Sequence, residues 1–124
     1  MPLDPRRIAV IAFPGISPFH LAVPSLIFAE RPTLGLPKFE VQVCAEQPGT
    51  LPTGGGYDIV VTQDLGACQT AGTVILPSWP GHLPAASPAL LESLRQAAAG
   101  GARLVGLCLG AFVLAEAGLL NGRA

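Results

Sequence analysis

Charged residues are scarce in this chain. Aspartate, glutamate, lysine and arginine together make up 12% of its 124 residues, against 50% hydrophobic residues, whereas about a quarter of an ordinary soluble domain is charged. A chain of this length forms one domain. Its apolar surplus predicts parallel strands that are buried on both faces, and it also predicts that a partner subunit or further chain covers part of the surface.

Basic residues in particular are few and dispersed. The seven lysine and arginine residues do not cluster, and the formal net charge is −1. Proteins that bind nucleic acid usually carry a concentrated positive patch that faces the phosphates. We therefore expect no DNA binding by this chain alone.

Cysteine is also sparse, with only Cys44, Cys68 and Cys108. An odd number of widely spaced cysteines fits reduced thiols in the cytoplasm better than a disulfide framework. No spacing typical of metal ligands is present. The tract Gly54-Gly55-Gly56 lacks the Lys-Ser/Thr of a phosphate-binding loop and is interpreted as a turn, so we expect neither a metal nor a cofactor.

No apolar run is long enough to cross a membrane without interruption. The apolar stretch 8–29 is broken by Pro14, Gly15, Pro18 and Pro24, which excludes a spanning helix. The N-terminus lacks the basic start, apolar centre and cleavage site of a signal peptide. These absences predict a cytoplasmic protein with no membrane partner.

What the sequence does contain is an alternation of strand and helix patterns. Strands are predicted at 6–13, 38–45, 73–76 and 102–107, helices at 18–30, 88–99 and 109–120, and a hairpin within 50–62. This order predicts an α/β fold, an open parallel sheet with helices on both faces and the first strand near its centre. In such sheets the functional crevice lies beyond the carboxyl ends of the strands.

The segment Gly106-Leu107-Cys108-Leu109-Gly110 places a thiol between a strand and a helix. Gly106 and Gly110 leave space for a sharp elbow, and a helix N-terminus beneath the sulfur favours a thiolate. We interpret Cys108 as a nucleophile position. The alternative is a buried cysteine that only fills space.

Histidine and backbone groups near the other two loops complete the predicted site. His20 falls at the third residue of its helix, where the dipole favours a neutral imidazole that can accept the Cys108 proton; alternatively it hydrogen-bonds the preceding loop. The Leu109 N–H is one candidate oxyanion donor, and the Ser78 or Trp79 amide is the other. Trp79 could instead be a lid or a dimer contact.

The remaining candidates are weaker. His82 is interpreted as a solvated loop residue, because glycine and proline flank it. Glu92 and Glu116 fall on helices away from the predicted elbow, so no carboxylate is expected to orient His20. A complete Cys-His-acid triad is therefore not predicted.

Three segments carry a resemblance to a known family: 13–19 (Phe-Pro-Gly-Ile-Ser-Pro-Phe), 76–80 (Leu-Pro-Ser-Trp-Pro) and 108–123 (Cys-Leu-Gly-Ala-Phe-Val-Leu-Ala-Glu-Ala-Gly-Leu-Leu-Asn-Gly-Arg). They resemble the PfpI-like, class I glutamine amidotransferase-like domain at the N-terminus of many AraC-type transcription regulators. The resemblance implies a flavodoxin-like fold with a nucleophile-elbow cysteine. It also implies a small-molecule effector, a homodimer, and DNA binding only through a downstream domain absent from this chain.

Some features depart from that family. His20 stands where the enzymatic relatives carry an acidic residue, and Ser78 stands where glycine is usual. The family's domain continues beyond residue 124, so we expect a fragment of a longer regulator or a truncated reading frame.

Three functions follow from these residues. We expect a regulatory, ligand-sensing domain with little or no turnover, whose pocket surrounds Cys108, His20 and the Ser78-Trp79 loop. The alternative is a cysteine-dependent hydrolase or hydratase of the PfpI-like superfamily, in which Cys108 attacks a carbon and His20 shuttles the proton. A structural or dimerisation module is the third possibility.

Overall fold

The computed structural model of the protein describes residues 3–28, 38–79, 86–107 and 110–118. In these ranges the chain forms, in order, β1 (Asp4–Ala12), α1 (Pro18–Ile27), β2 (Glu40–Ala45), β3 (Gly49–Pro52), β4 (Asp58–Val61), a 3₁₀ helix (Leu65–Gln69), β5 (Ala71–Leu76), α2 (Pro88–Ala99), β6 (Arg103–Gly106) and α3 (Gly110–Glu116). The predicted order of strands and helices is confirmed.

The main sheet has the strand order β2-β1-β5-β6, and all of its pairs are parallel. β1 is central, since Val10 lies opposite Val43 on one side and Ile75 on the other. The bounds of these strands agree with the predicted ones within two residues. Each βα connection leaves the sheet at its carboxyl edge, which is where a crevice is expected.

Both faces of the sheet are covered by helices, as predicted. Alternate residues of β1 belong to different hydrophobic clusters, because successive side chains of a strand point to opposite faces. Ala9 and Ile11 pack with buried residues of α2 and α3, whereas Ile8 and Val10 pack with Leu21 of α1. This double burial explains why β1 reads as a continuous apolar run.

A separate two-stranded sheet is formed by β3 and β4, which pair antiparallel as the predicted hairpin. The three glycines lie in its turn, with Gly56 at a φ of 84°. The 3₁₀ helix that follows was not predicted, because five residues are too few to show a helical period. Asp64 caps it by accepting a hydrogen bond from the Gly66 N–H at 2.8 Å.

The helix termini show where local signals succeed and where they fail. α2 has the predicted bounds, since Ser87 caps it and Gly101 follows its end with a φ of 99°. α1 stops at Ile27 rather than at residue 30, with Phe28 as its C-cap. The predicted end of α3 at residue 120 is wrong, because Gly118 adopts a φ of 80° and ends the helix after Glu116.

Within the described ranges no helix combines the length and the apolar character that crossing a membrane requires.

Candidate functional site

A cavity of about 430 Å³ opens at the carboxyl edge of the sheet. Its floor is the end of β1, and its sides come from the loops after β1, β2 and β5 and from the start of the hairpin. The residues that line it include Ala12, Phe13, Pro14, Ala45, Glu46, Thr50, Leu51, Trp79 and Leu90. This is the crevice that the parallel-sheet topology predicts.

Two aromatic rings form one wall of the cavity. The Trp79 and Phe13 rings lie with their centroids 5.1 Å apart and their planes inclined at 52°. Phe13 is buried, and Trp79 packs against the clusters on either side of it. A tilted pair of this kind gives a rigid apolar surface that suits an aliphatic or aromatic ligand.

A carboxylate stands at the edge of the same cavity. Glu46 follows β2, and its Oε1 accepts a hydrogen bond of 2.6 Å from the Ser87 hydroxyl. Ser87 in turn accepts a bond from the Leu90 N–H at 3.1 Å, which fixes it at the start of α2. Among the described lining residues none is basic, so the cavity favours a ligand with a positive or hydrogen-bond-donating group.

Sequence reasoning missed Glu46 as a site residue. Its signal was present, because it follows directly on the predicted strand 38–45, and loops at the carboxyl ends of parallel strands form the crevice. That loop lines a cavity only because the hairpin lies on the other side of it, and the position of the hairpin has no signal in the sequence. Thr50 and Leu51 are the hairpin residues that line the cavity.

The backbone around the predicted elbow is crowded against β5. A Cβ atom added at Gly110 would collide with the carbonyl oxygen of Leu76, so only glycine fits at the first residue of α3. The Leu107 N–H donates to that same carbonyl at 3.0 Å, and the Gly110 N–H donates to the Leu107 carbonyl at 2.8 Å. Gly106 pairs with Leu76 in the sheet.

These contacts explain why glycine stands at position 110, whereas its role in an elbow stays a prediction. Cys108 and Leu109 lie outside the described residues. The nucleophile elbow, the thiolate and the Leu109 oxyanion donor therefore stay predictions.

His20 occupies the predicted third position of α1. Its ring meets that of Phe19 edge-on, with centroids 5.5 Å apart. Its Nδ1 atom is buried and finds no hydrogen-bond partner within the described part of the chain. Because Cys108 lies outside that part, the contact between His20 and Cys108 stays a prediction.

The structure brings only part of the predicted site together. Trp79 lines the cavity, whereas His20 and Ser78 are not among its described lining residues. His82 lies outside the described residues. Glu92 is exposed on α2, where its carboxylate pairs with Arg95 at 3.8 Å.

No cluster of three histidine, cysteine, aspartate or glutamate side chains suited to a metal ion occurs within residues 3–28, 38–79, 86–107 and 110–118. The cavity thus offers one aromatic wall, one carboxylate and backbone groups. Such a lining can hold and orient a small molecule.

Comparison with known proteins places this arrangement among known folds. Residues 6–124 match the model of the DJ-1/PfpI family. The chain is 26% identical over 126 residues to an uncharacterized protein in the cpoL 5′ region of Streptomyces lividans, and the match covers 99% of this chain and 87% of that relative.

Solved structures of other proteins have the same fold. A THiJ/PfpI family protein from Pseudomonas syringae superposes with a TM-score of 0.78 at 22% identity, over 97% of this chain and 49% of that protein. An AraC family transcriptional regulator from Pseudomonas putida gives a TM-score of 0.76 at 24% identity, over 96% of this chain and 64% of that one. The chain thus spans less than two thirds of the length of these solved proteins, and the likeness shows that they share its fold.

Proposed function

Because the chain belongs to the DJ-1/PfpI family, we propose that it is the effector-sensing domain of an AraC-type transcription regulator and that the cavity beside Trp79 receives the effector. The single observation that carries this proposal is the cavity itself. It lies at the carboxyl edge of the sheet, and its volume of about 430 Å³ falls in the range of small-molecule sites.

Two further observations support a regulatory role. The P. putida regulator has the same fold over 96% of this chain. The chain has a net charge of −1 and no cluster of basic residues, so DNA contacts belong to another part of the regulator. The predicted cytoplasmic location and homodimer belong to the same proposal.

The lining of the cavity supports one class of effector. Phe13, Trp79 and Leu51 offer apolar surface, and Glu46 supplies the charge at the edge. A carboxylate in a concave site attracts a cation and repels an anion. The effector is therefore a small molecule with an apolar body and an amine or other donor group, and the predicted contact of Cys108 with it belongs to the same proposal.

Three probes of one shape test this proposal: benzylamine, benzyl alcohol and benzoate, which at pH 7 are cationic, neutral and anionic. Trp79 is the only tryptophan of the chain, so its fluorescence reports binding in the cavity directly. We expect affinity to fall in the order benzylamine, benzyl alcohol, benzoate. The absence of a fluorescence change with all three up to their solubility would contradict the proposal.

A matched pair of variants tests the role of the carboxylate. In Glu46→Gln we expect benzylamine to lose its advantage over benzyl alcohol, about tenfold in Kd, corresponding to ~1.4 kcal/mol. Glu116→Gln removes the same charge from the exposed end of α3 and is expected to leave the order unchanged. An equal loss in both variants would assign the preference to overall charge instead.

A further inference from the structure

Two cysteines that the proposed site does not use lie side by side in the core. Cys44 is on β2 and Cys68 is on the 3₁₀ helix, both with no exposed surface, and their Sγ atoms are 3.9 Å apart. The Ala45 N–H donates to the Gln63 carbonyl at 3.0 Å, which holds the chain leading into the 3₁₀ helix against β2. A disulfide needs the sulfurs only about 2 Å closer.

The two thiols are chemically unequal. The hydrogen bond between the two thiols lowers the pKa of Cys68; burial opposes that shift, and a hydrogen bond with Ser93 adds to it. The same thiol–thiol bond raises the pKa of Cys44, and burial and the negative charge of Asp64 raise it further. The lowered pKa of Cys68 favours it as the attacking sulfur, and the raised pKa of Cys44 favours its protonated thiol.

Access to Cys68 leads through the 3₁₀ helix. An open depression of about 410 Å³ lies over this helix, lined by Leu65, Gly66, Gln69 and Ser93 among others. The helix has only five residues, and short 3₁₀ segments are weakly hydrogen-bonded. Local opening of one turn of this helix would expose the Cys68 sulfur, while Cys44 would stay within the parallel sheet.

We propose that Cys44 and Cys68 form an oxidant-sensitive dithiol, which hydrogen peroxide converts into a disulfide between β2 and the 3₁₀ helix. The Cys68 thiolate attacks one peroxide oxygen, the O–O bond breaks, and the products are a sulfenic acid and hydroxide. Cys44 then attacks the Cys68 sulfur, the S–O bond breaks, and the departing hydroxyl leaves as water with the Cys44 proton. The two thiols together lose two electrons, which reduce the peroxide to water, and a dithiol reductant reverses the step.

The test uses the full chain with Cys108→Ser, which leaves only these two cysteines. The folded protein is treated with hydrogen peroxide, remaining thiols are blocked, and the mass is measured. We expect a loss of about 2 Da for the two departed hydrogens, a peptide containing both Cys44 and Cys68, and reversal by dithiothreitol. Recovery of two free thiols, or a gain of oxygen without the crosslink, would overturn the proposal.

Two controls exclude other origins of the crosslink. Cys68→Ala/Cys108→Ser is expected to show no loss of 2 Da and no crosslinked monomer. The parent Cys108→Ser protein is also oxidised in urea, where the sulfurs are no longer held together. Crosslinking that is at least as fast in urea as in the folded state would contradict a role for the native geometry.

Discussion

The ring of Trp79 rests on the ring of Phe13, 5.1 Å between centroids, and this contact joins the carboxyl ends of β5 and β1. The chain leaves these adjacent strands toward opposite faces of the sheet, because residues of α1 and α2 belong to clusters on opposite faces. A crevice opens where such connections diverge. The aromatic pair thus forms one wall at the position where parallel α/β sheets bind ligands.

Removing that wall should weaken binding while the fold persists. In Trp79→Ala we expect the Kd for benzylamine to rise about tenfold or more, because loss of a large aromatic contact costs at least ~1.4 kcal/mol. Saturation-transfer NMR measures this without relying on tryptophan fluorescence. Tyr57→Ala, which removes an exposed ring from the hairpin, serves as the control and should leave the Kd within about twofold.

The close approach of α3 to β5 makes a stability prediction. Gly110→Ala would force a methyl group against the Leu76 carbonyl oxygen, and we expect the free energy of unfolding to fall by about 1–3 kcal/mol. Urea denaturation measures the change. In Gly100→Ala the added Cβ would lie 3.5 Å from the nearest backbone oxygen, so that control should be neutral or slightly stabilising. Equal effects at both positions would show that the contact at Gly110 is not restrictive.

The elbow interpretation predicts which thiol is accessible. Cys44 and Cys68 have no exposed surface, whereas a nucleophile position at Cys108 would face the crevice. Brief treatment of the native protein with iodoacetamide, followed by peptide mapping, should therefore label Cys108 alone. Protection of Cys108 together with the other two would favour the alternative in which it only fills space.

Alkaline pH should destabilise the protein through the buried thiol pair. Above the ordinary thiol pKa of 9.0 both cysteines are ionised in the unfolded chain, whereas the raised pKa of Cys44 keeps one proton in the folded state. The folded state then binds one proton more, so the free energy of unfolding falls by about 1.4 kcal/mol for each pH unit above 9. The lowered pKa of Cys68 acts in the opposite direction. It adds to the free energy of unfolding above pH 9, and that added stability is lost as the pH falls.

Urea denaturation at several pH values checks this, with Cys108→Ser under reducing conditions as the parent. Replacing both Cys44 and Cys68 with alanine should remove that slope. If the parent and the double variant lose stability equally between pH 9 and 10.5, the pKa of Cys44 is not raised in the folded state.

Much of this fold could be predicted from the sequence because its signals are local. The Ser87-Pro88 cap, the buried run of β1 and the three glycines of the hairpin turn each act over a few residues, and the structure has all three as expected. The end of α3 was misplaced because the positive φ of Gly118, which ends the helix, is a property of the folded backbone and is not set by residue type alone.

The site depends on distant parts of the chain meeting, and it was predicted less completely. Trp79 was found because it follows a strand, but its partner Phe13 lies far from it along the chain. The approach of Cys44 to Cys68 depends on a 3₁₀ helix that shows no sequence period. Neither pairing has a signal within its own segment.

Amide chemical-shift mapping with benzylamine tests the central claim most directly, because it locates the bound molecule on the chain. If the cavity is the effector site, the largest shifts will fall on Ala12, Ala45, Leu51 and the Trp79 indole N–H, and they will shrink in Glu46→Gln. Shifts concentrated away from the carboxyl edge of the sheet, or no saturable shifts at all, would contradict it.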